Sequence, residues 1–212
     1  MIKKQKRILI IDDEAVFRKA ITEALTPCGY QCVSEEDPAD GIMRLKKETF
    51  NLVLLDIMME PYDGWDTLTQ IMGLSKGVGI PVVMSSAKKL HPDEIIRYSE
   101  IVAGFFEKPF YGSDLCDAVA DFFRFYDGLI ANAGAAELQG VSPDICHTWI
   151  QINRQIHAIN QMLEVVSQFC IPDLTSTEQE CFADRMERIN QILNHRMQER
   201  DQLKILYPVF SA

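Results

Sequence analysis

The chain has 212 residues, 47% hydrophobic and 25% charged, with a formal net charge of −10. That composition supports a folded core, either as one large domain or as a domain of about 125 residues with an appendage. The acid excess is shared: 15 Lys and Arg stand against 20 Asp and Glu up to Phe125, and 6 against 11 from Tyr126 onward. Neither part carries the basic surplus that grips a phosphate backbone, which argues against nucleic acid as a direct partner.

The opening Met1-Ile2-Lys3-Lys4-Gln5-Lys6-Arg7 has the basic character of an export signal. The apolar run after it stops after four residues at Asp12-Asp13-Glu14, too short for export or a membrane span, so a cytosolic location is expected. Cys28, Cys32, Cys116, Cys146, Cys170 and Cys181 form no C-x-x-C pair and no zinc grouping with the histidines. They are expected to be reduced, small, buried side chains.

The first predicted strand, about 7–12, ends on Asp12 and Asp13 and leads into a helix at about 14–26. A second strand and helix follow at about 30–34 and 38–48. The third strand, about 51–56, is almost wholly apolar up to Asp56, as expected of a strand covered on both faces; its helix is predicted at about 64–74. Strand four, about 80–85, is followed by Ser86-Ala87 and by a helix at about 91–99, which His91-Pro92-Asp93 starts. Strand five, about 103–107, runs into Lys108-Pro109-Phe110 and a last helix at about 112–126. Five strands, each followed by a helix, predict a doubly wound parallel α/β sheet. In such sheets ligands bind beyond the carboxyl ends of the strands, where the acidic residues fall.

After Phe125 no strand signal remains. The small-residue stretch Leu129–Ala136 reads as a continued helix or as a linker over 127–142. Ser142-Pro143 then starts a helix in which Ile145, Trp149, Ile152, Ile156, Ile159, Leu163, Val166 and Cys170 alternate spacings of four and three. Pro172 ends it, and Thr175-Ser176-Thr177-Glu178 caps a second helix with Phe182, Met186, Ile189, Leu193, Leu203 and Tyr207 on its apolar face. Residues 143–212 are therefore predicted to form an all-α antiparallel helical hairpin. A lone hairpin leaves Met162, Phe169, Ile192 and Met197 uncovered, which predicts a homodimer closed as a four-helix bundle.

The strand-end residues fit one chemistry. Asp56 is the candidate nucleophile toward phosphorus. Crowded carboxylates repel one another, a conflict that Mg2+ resolves by taking a few carboxylates together with waters and phosphate oxygens. Lys108 offers a point charge to another phosphoryl oxygen, and the Ser86 hydroxyl a hydrogen bond.

These residues and spacings resemble the CheY-like receiver domain of two-component response regulators over roughly residues 6–126. The resemblance lies in Ile8–Glu14, Asp56 followed by Asp63-Gly64, Ser86-Ala87 and Lys108-Pro109-Phe110. It implies a flavodoxin-like (βα)5 receiver at 1–126, with Asp56 as the phosphorylation site supplied by a cognate histidine kinase or phosphotransfer protein. It further implies Mg2+ held by Asp13, Asp56 and the Met58 carbonyl, with Asp12 contributing through water, and a switch made by Ser86 and Phe105. Two features depart from the family pattern: Glu60 stands where the loop proline is usual, with Pro61 after it, and Phe105 replaces the more frequent Tyr or His.

The carboxy-terminal part resembles no family. It carries no glycine-rich phosphate cradle and no ATP-binding domain, so the chain is expected not to be an enzyme. Two outputs are expected for it: dimerisation or docking of a downstream protein without DNA, or a histidine-phosphotransfer-like bundle. In the second, His157 would stand exposed beside the seam, with His147 and His195 as weaker candidates.

Overall fold

A computed structural model describes residues 5–60, 62–74, 79–87, 89–109, 113–167 and 176–211, with Ser113 and Ser176 described by backbone alone. Pro61, Phe110, Phe169, Cys170, Pro172 and Thr175, named above, lie outside them. Five strands, β1 (Arg7–Ile11), β2 (Gln31–Glu35), β3 (Leu52–Asp56), β4 (Val82–Ser86) and β5 (Gly104–Glu107), form one parallel sheet in the order β2-β1-β3-β4-β5. The direction of strand addition reverses between β1 and β3. Ile11 lies opposite Leu55 there, so Asp12 and Asp56 follow each other's positions at the rim. Ile8–Ile11 and Leu52–Leu55 are all buried, with no alternation between faces, which is why both strands read as continuous apolar runs.

Helices α1 (Ala15–Leu25), α2 (Pro38–Lys47) and α3 (Gly64–Met72) begin close to their predicted positions. Local chemistry fixes two of those starts. Asp37 accepts a hydrogen bond from the Ala39 amide at 2.6 Å, and Asp63 one from the Asp66 amide at 2.9 Å, each satisfying an end donor that the helix cannot.

The chain divides into two compact units: Met1–Lys88 with Ile101–Ala120, and Lys89–Glu100 with Asp121–Ala212. Helix α4 (Pro92–Tyr98) thus clusters with the carboxy-terminal helices α6 (Pro143–Ser167) and α7 (Ser176–Leu206). Helix α5 (Ser113–Leu138) runs well beyond residue 126, so 127–138 is helix and not linker. Gly140, at φ 89°, ends it. Its amide donates to the Glu137 carbonyl at 2.9 Å and the Val141 amide to the Ala136 carbonyl at 3.0 Å, a left-handed cap that only glycine adopts cheaply.

Within the second unit, α6 buries far more than a seam. Cys146, Trp149, Ile152, Gln155, Ile156, Ala158, Ile159, Met162, Val165 and Val166 are all buried in the single chain. Of the residues that predicted a second hairpin, Met162 is buried within the single chain, whereas Ile192 is half-buried and Met197 exposed, so the α6 stripe is covered while part of the α7 face stays open. Pro208–Ser211 adds a short 3-10 turn that stacks Phe210 on Trp149, ring centroids 4.4 Å apart. Those two rings join Ala133, Ala136 and Cys146 in a separate cluster.

One expectation about the cysteines fails. Cys28, just past α1, is disulfide-bonded to Cys116 in the first turns of α5, 88 residues away in sequence. Cys32, Cys146 and Cys181 are free, and Cys181 is exposed where a buried thiol was expected.

Candidate functional site

The site is built at the carboxyl rim of β1, β3, β4 and β5. Parallel register does most of the positioning. Asp56 lies opposite Ser85, and Ser86 opposite Glu107, one residue before Lys108. The Lys108 amide donates to the Ser86 carbonyl at 3.0 Å, so the ladder continues through the lysine.

Lys108 is 5% exposed and its ammonium lies 2.7 Å from Asp12 Oδ2 and 3.0 Å from Asp56 Oδ1. Both carboxylates are almost completely buried. Burial pushes the Asp56 carboxyl above the usual range, the Lys108 charge opposes that rise, and the neighbouring Asp12 adds to it. The Met58 backbone amide also hydrogen-bonds the Asp56 carboxylate, while the Met58 side chain stands exposed.

Asp12, Asp13 and Asp56 each present a carboxylate oxygen, all within 4.8 Å of one another. Asp13 Oδ1 is buried and has no hydrogen-bond partner. Three hard oxygen donors, one of them an unsatisfied buried acceptor, fit a small divalent cation better than they fit one another. The remaining predicted residues lie at or near this rim: Ser86 is buried at the end of β4, and Phe105 is buried in β5 opposite Met84.

Three further residues shape the site, of which Phe17 and Arg18 were not singled out from the sequence and Gly64 was named only as part of a motif. Phe17 places its ring 4.4 Å below the Lys108 ammonium, a cation–π contact that holds the amine over the acids. Arg18 donates to the backbone carbonyls of Asp12 and Asp13, each at 2.8 Å, and its other amine meets Glu36 at 2.7 Å. It thereby pins the acidic loop from behind. Both residues sit in the first turns of α1, and that placement is the signal that could have found them. Gly64 is the third: a Cβ there would lie 2.0 Å from the Asp56 carbonyl oxygen. Only a residue without a side chain lets α3 start against the strand that carries Asp56.

His157 does not stand where a phosphoryl carrier must. It is half-buried, its ring stacks on Phe125 at 4.1 Å, and its Nε2 is buried without a hydrogen-bond partner. The seam spacing put it on an outer face, but Phe122 and Phe125 of α5 cover that face. His147 and His195 are exposed.

Among the described residues, no helix is long and apolar enough to cross a membrane. The probable transcriptional regulator ycf27 of Porphyridium aerugineum is 30% identical over 129 residues, covering 61% of this chain and 52% of that protein. The transcriptional regulatory protein GlrR of Escherichia coli (strain K12) is 30% identical over 121 residues, 57% of this chain and 27% of that one. The chain therefore spans about half the length, or less, of these curated relatives. The chemotaxis response regulator CheY4 of Vibrio cholerae superposes with a TM-score of 0.52 at 18% identity, over 56% of this chain and 99% of that chain, a likeness of fold. Residues 8–120 match the response regulator receiver domain. With more than half of its length accounted for in this way, the chain belongs to the response regulator receiver family of two-component signalling.

Proposed function

We propose that Asp56 accepts a phosphoryl group from the phosphohistidine of a kinase or phosphotransfer protein, with Mg2+, and that the aspartyl phosphate changes what the carboxy-terminal helices engage. The observation that carries this is the Lys108 ammonium held between Asp12 and Asp56 beside the unsatisfied Asp13. An Asp56 oxygen attacks phosphorus and the phosphorus–nitrogen bond breaks. The bonding pair returns to the imidazole nitrogen, and the product on this chain is an acyl phosphate. Asp13, Asp56 and the Met58 carbonyl would hold the cation, with Asp12 reaching it through water; bound there, it neutralises charge on the phosphoryl oxygens.

Lys108 has two tasks. Before transfer its charge opposes the upward push that burial gives the Asp56 carboxyl. During transfer its ammonium is available to a phosphoryl oxygen, since it already lies 3.0 Å from the attacked carboxylate. Ser86 binds a further oxygen and, with Phe105, carries the change into the fold.

On this reading the chain is a phosphorylated switch and no enzyme in its own right. Its output is a protein partner. The relatives are named transcriptional regulators, but the family match ends at residue 120 and the part beyond is acidic, which disfavours direct DNA binding. A second copy of the chain is the less favoured partner, because the α6 stripe is already buried. The same reading keeps the chain in the cytosol, where the Cys28–Cys116 bond is open to reduction.

The test is acetyl phosphate with Mg2+ on the full chain. One acid-labile, hydroxylamine-sensitive phosphate is expected, absent without Mg2+ and absent in Asp56→Asn. Equal labelling of Asp56→Asn would reject the assignment.

A further inference from the structure

We propose, resting on the phosphoacceptor reading above, that Cys28 and Cys116 form a thiol–disulfide exchange site for small thiols and disulfides of the glutathione class, and that closing their bond primes the acidic site for Mg2+ and phosphate.

The bond is surplus to the fold. The receiver unit builds its core without it: Ile8–Ile11, Leu52–Leu55 and Val82–Met84 are buried, as are Leu25, Leu115 and Val119, the apolar neighbours of the two cysteines in sequence. Disulfides that serve as staples belong to domains short of core or to oxidising compartments. In a chain read as cytosolic, a disulfide is one that responds to redox state.

Both forms are accommodated. The two Cα atoms lie 6.4 Å apart, within the span of a disulfide, so in the dithiol form the sulfurs stay within reach of each other. Cys28 Sγ lies 3.3 Å from the Ala24 carbonyl oxygen, which then accepts its S–H. Cys28 is exposed and Cys116 half-buried, and an exposed bond is the labile kind. Cys32 stands four residues from Cys28, but burial pushes its thiol up, which leaves it a poor competing nucleophile.

Reduction starts when a small thiolate attacks the exposed Cys28 sulfur. The sulfur–sulfur bond breaks, and its electron pair leaves on Cys116, which takes a proton. A second thiolate attacks the mixed disulfide, and Cys28 leaves with that electron pair and takes a proton. Two electrons pass from the two small thiols, which depart joined as their disulfide; oxidation is the reverse.

The bond closes a ring through the acidic site. Cys28 lies just past α1, whose first turns place Phe17 under the Lys108 ammonium and Arg18 on the Asp12 and Asp13 carbonyls. Lys108 meets Asp12 across 96 residues of chain. Through the disulfide the path is 16 residues from Asp12 to Cys28 and 8 from Cys116 to Lys108. A free chain shortened that much would close about sevenfold more readily. The sheet already restrains both ends, so the expected effect is smaller, about twofold to fivefold. It favours the arrangement in which Asp12, Asp13 and Asp56 converge.

The full chain is equilibrated without air in mixtures of reduced and oxidised glutathione, quenched in acid, and its thiols are counted by alkylation and mass spectrometry. A reversible transition of the Cys28–Cys116 bond is expected. Cys116→Ser should trap a glutathione adduct on Cys28, and Cys28→Ser little on Cys116. Mg2+ should shift the glutathione ratio at the midpoint about twofold to fivefold toward the disulfide, by reciprocity with tighter Mg2+ binding. Asp13→Asn should abolish that shift. Acetyl phosphate with Mg2+ should label the oxidised parent faster than the reduced parent by a similar factor, a comparison that changes no residue. A bond that glutathione neither forms nor breaks would overturn the exchange site. A midpoint indifferent to Mg2+ together with equal labelling of both forms would overturn the priming and leave the phosphoacceptor reading standing. No label on Asp56 in either form, with the Mg2+ shift intact, would overturn the phosphoacceptor reading and leave the exchange site and its coupling to the metal.

Discussion

Gly64→Ala adds one carbon at the most crowded point behind the phosphoacceptor. The new Cβ would lie 2.0 Å from the Asp56 carbonyl oxygen and 2.7 Å from Ile57 Cα, both backbone atoms that cannot swing aside as a side chain would. Ordinary contact starts at 3.4 Å, so the start of α3 must move away from β3 by about 1.4 Å in an interior that is close-packed. That shift also stretches the bond from the Gly64 amide to the Ile57 carbonyl, now 2.8 Å. Overpacking costs about 1–3 kcal/mol and a weakened hydrogen bond about 1 kcal/mol more. The helix-propensity gain of alanine, at most about 1 kcal/mol, offsets part of that at the first helical position. A net loss of about 2–3 kcal/mol is expected, roughly 5–10 °C in melting temperature for a chain of this size. Gly128→Ala and Gly134→Ala provide the contrast. They lie inside α5 with nothing within 4 Å of the added carbon, and each should stabilise by about 0.5–1 kcal/mol. Urea and thermal denaturation give the signs, and acetyl phosphate labelling reports the displacement of Asp56. Parental stability together with parental labelling in Gly64→Ala would refute the steric account.

Asp13→Asn removes one of three crowded carboxylates and should raise stability without metal by about 1–2 kcal/mol, once the Lys108 charge has offset part of the repulsion. The same variant should lose the stabilisation that added Mg2+ gives the parent; unfolding curves with and without Mg2+ decide both points. His157 supplies a pH signature. Burial holds its imidazole below the ordinary value of 6.5, so the unfolded chain binds the proton first and stability falls as pH drops below 6.5. His157→Gln should lose less stability than the parent between about pH 7 and pH 5, and parallel profiles would refute this. Phe210→Ala removes the ring stacked on Trp149 and should cost about 3 kcal/mol, the low end for a buried phenylalanine because a terminal turn can relax. Trp149 fluorescence during unfolding measures it.

Much of the receiver unit could be read from local chemistry alone. Strands β1, β3 and β4 are short, mostly apolar and fully or almost fully buried runs, the capping acids Asp37 and Asp63 stand at helix starts, and the acids at strand ends fall where a parallel sheet places its ligands. Asp12, Asp13, Asp56 and Lys108 were identifiable because their chemistry is rare in combination, and the sheet order brought them together. Phe17 and Arg18 were not, since an aromatic and an arginine in an amphipathic helix look like ordinary core and surface until Lys108 and the Asp12-Asp13 backbone arrive beside them.

The sequence by itself determined the elements, the parallel sheet and the identity of the acidic site, because periodicity, caps and strand-end charges act over a few residues. Only tertiary structure decided what meets what across long stretches of chain. The pairing of Cys28 with Cys116, the partners of α4 and the burial of His157 all depend on it. The α6 spacing showed that an apolar stripe needed covering. Whether a second copy or this chain's own helices would cover it is a question of three-dimensional proximity, to which a one-dimensional pattern is blind.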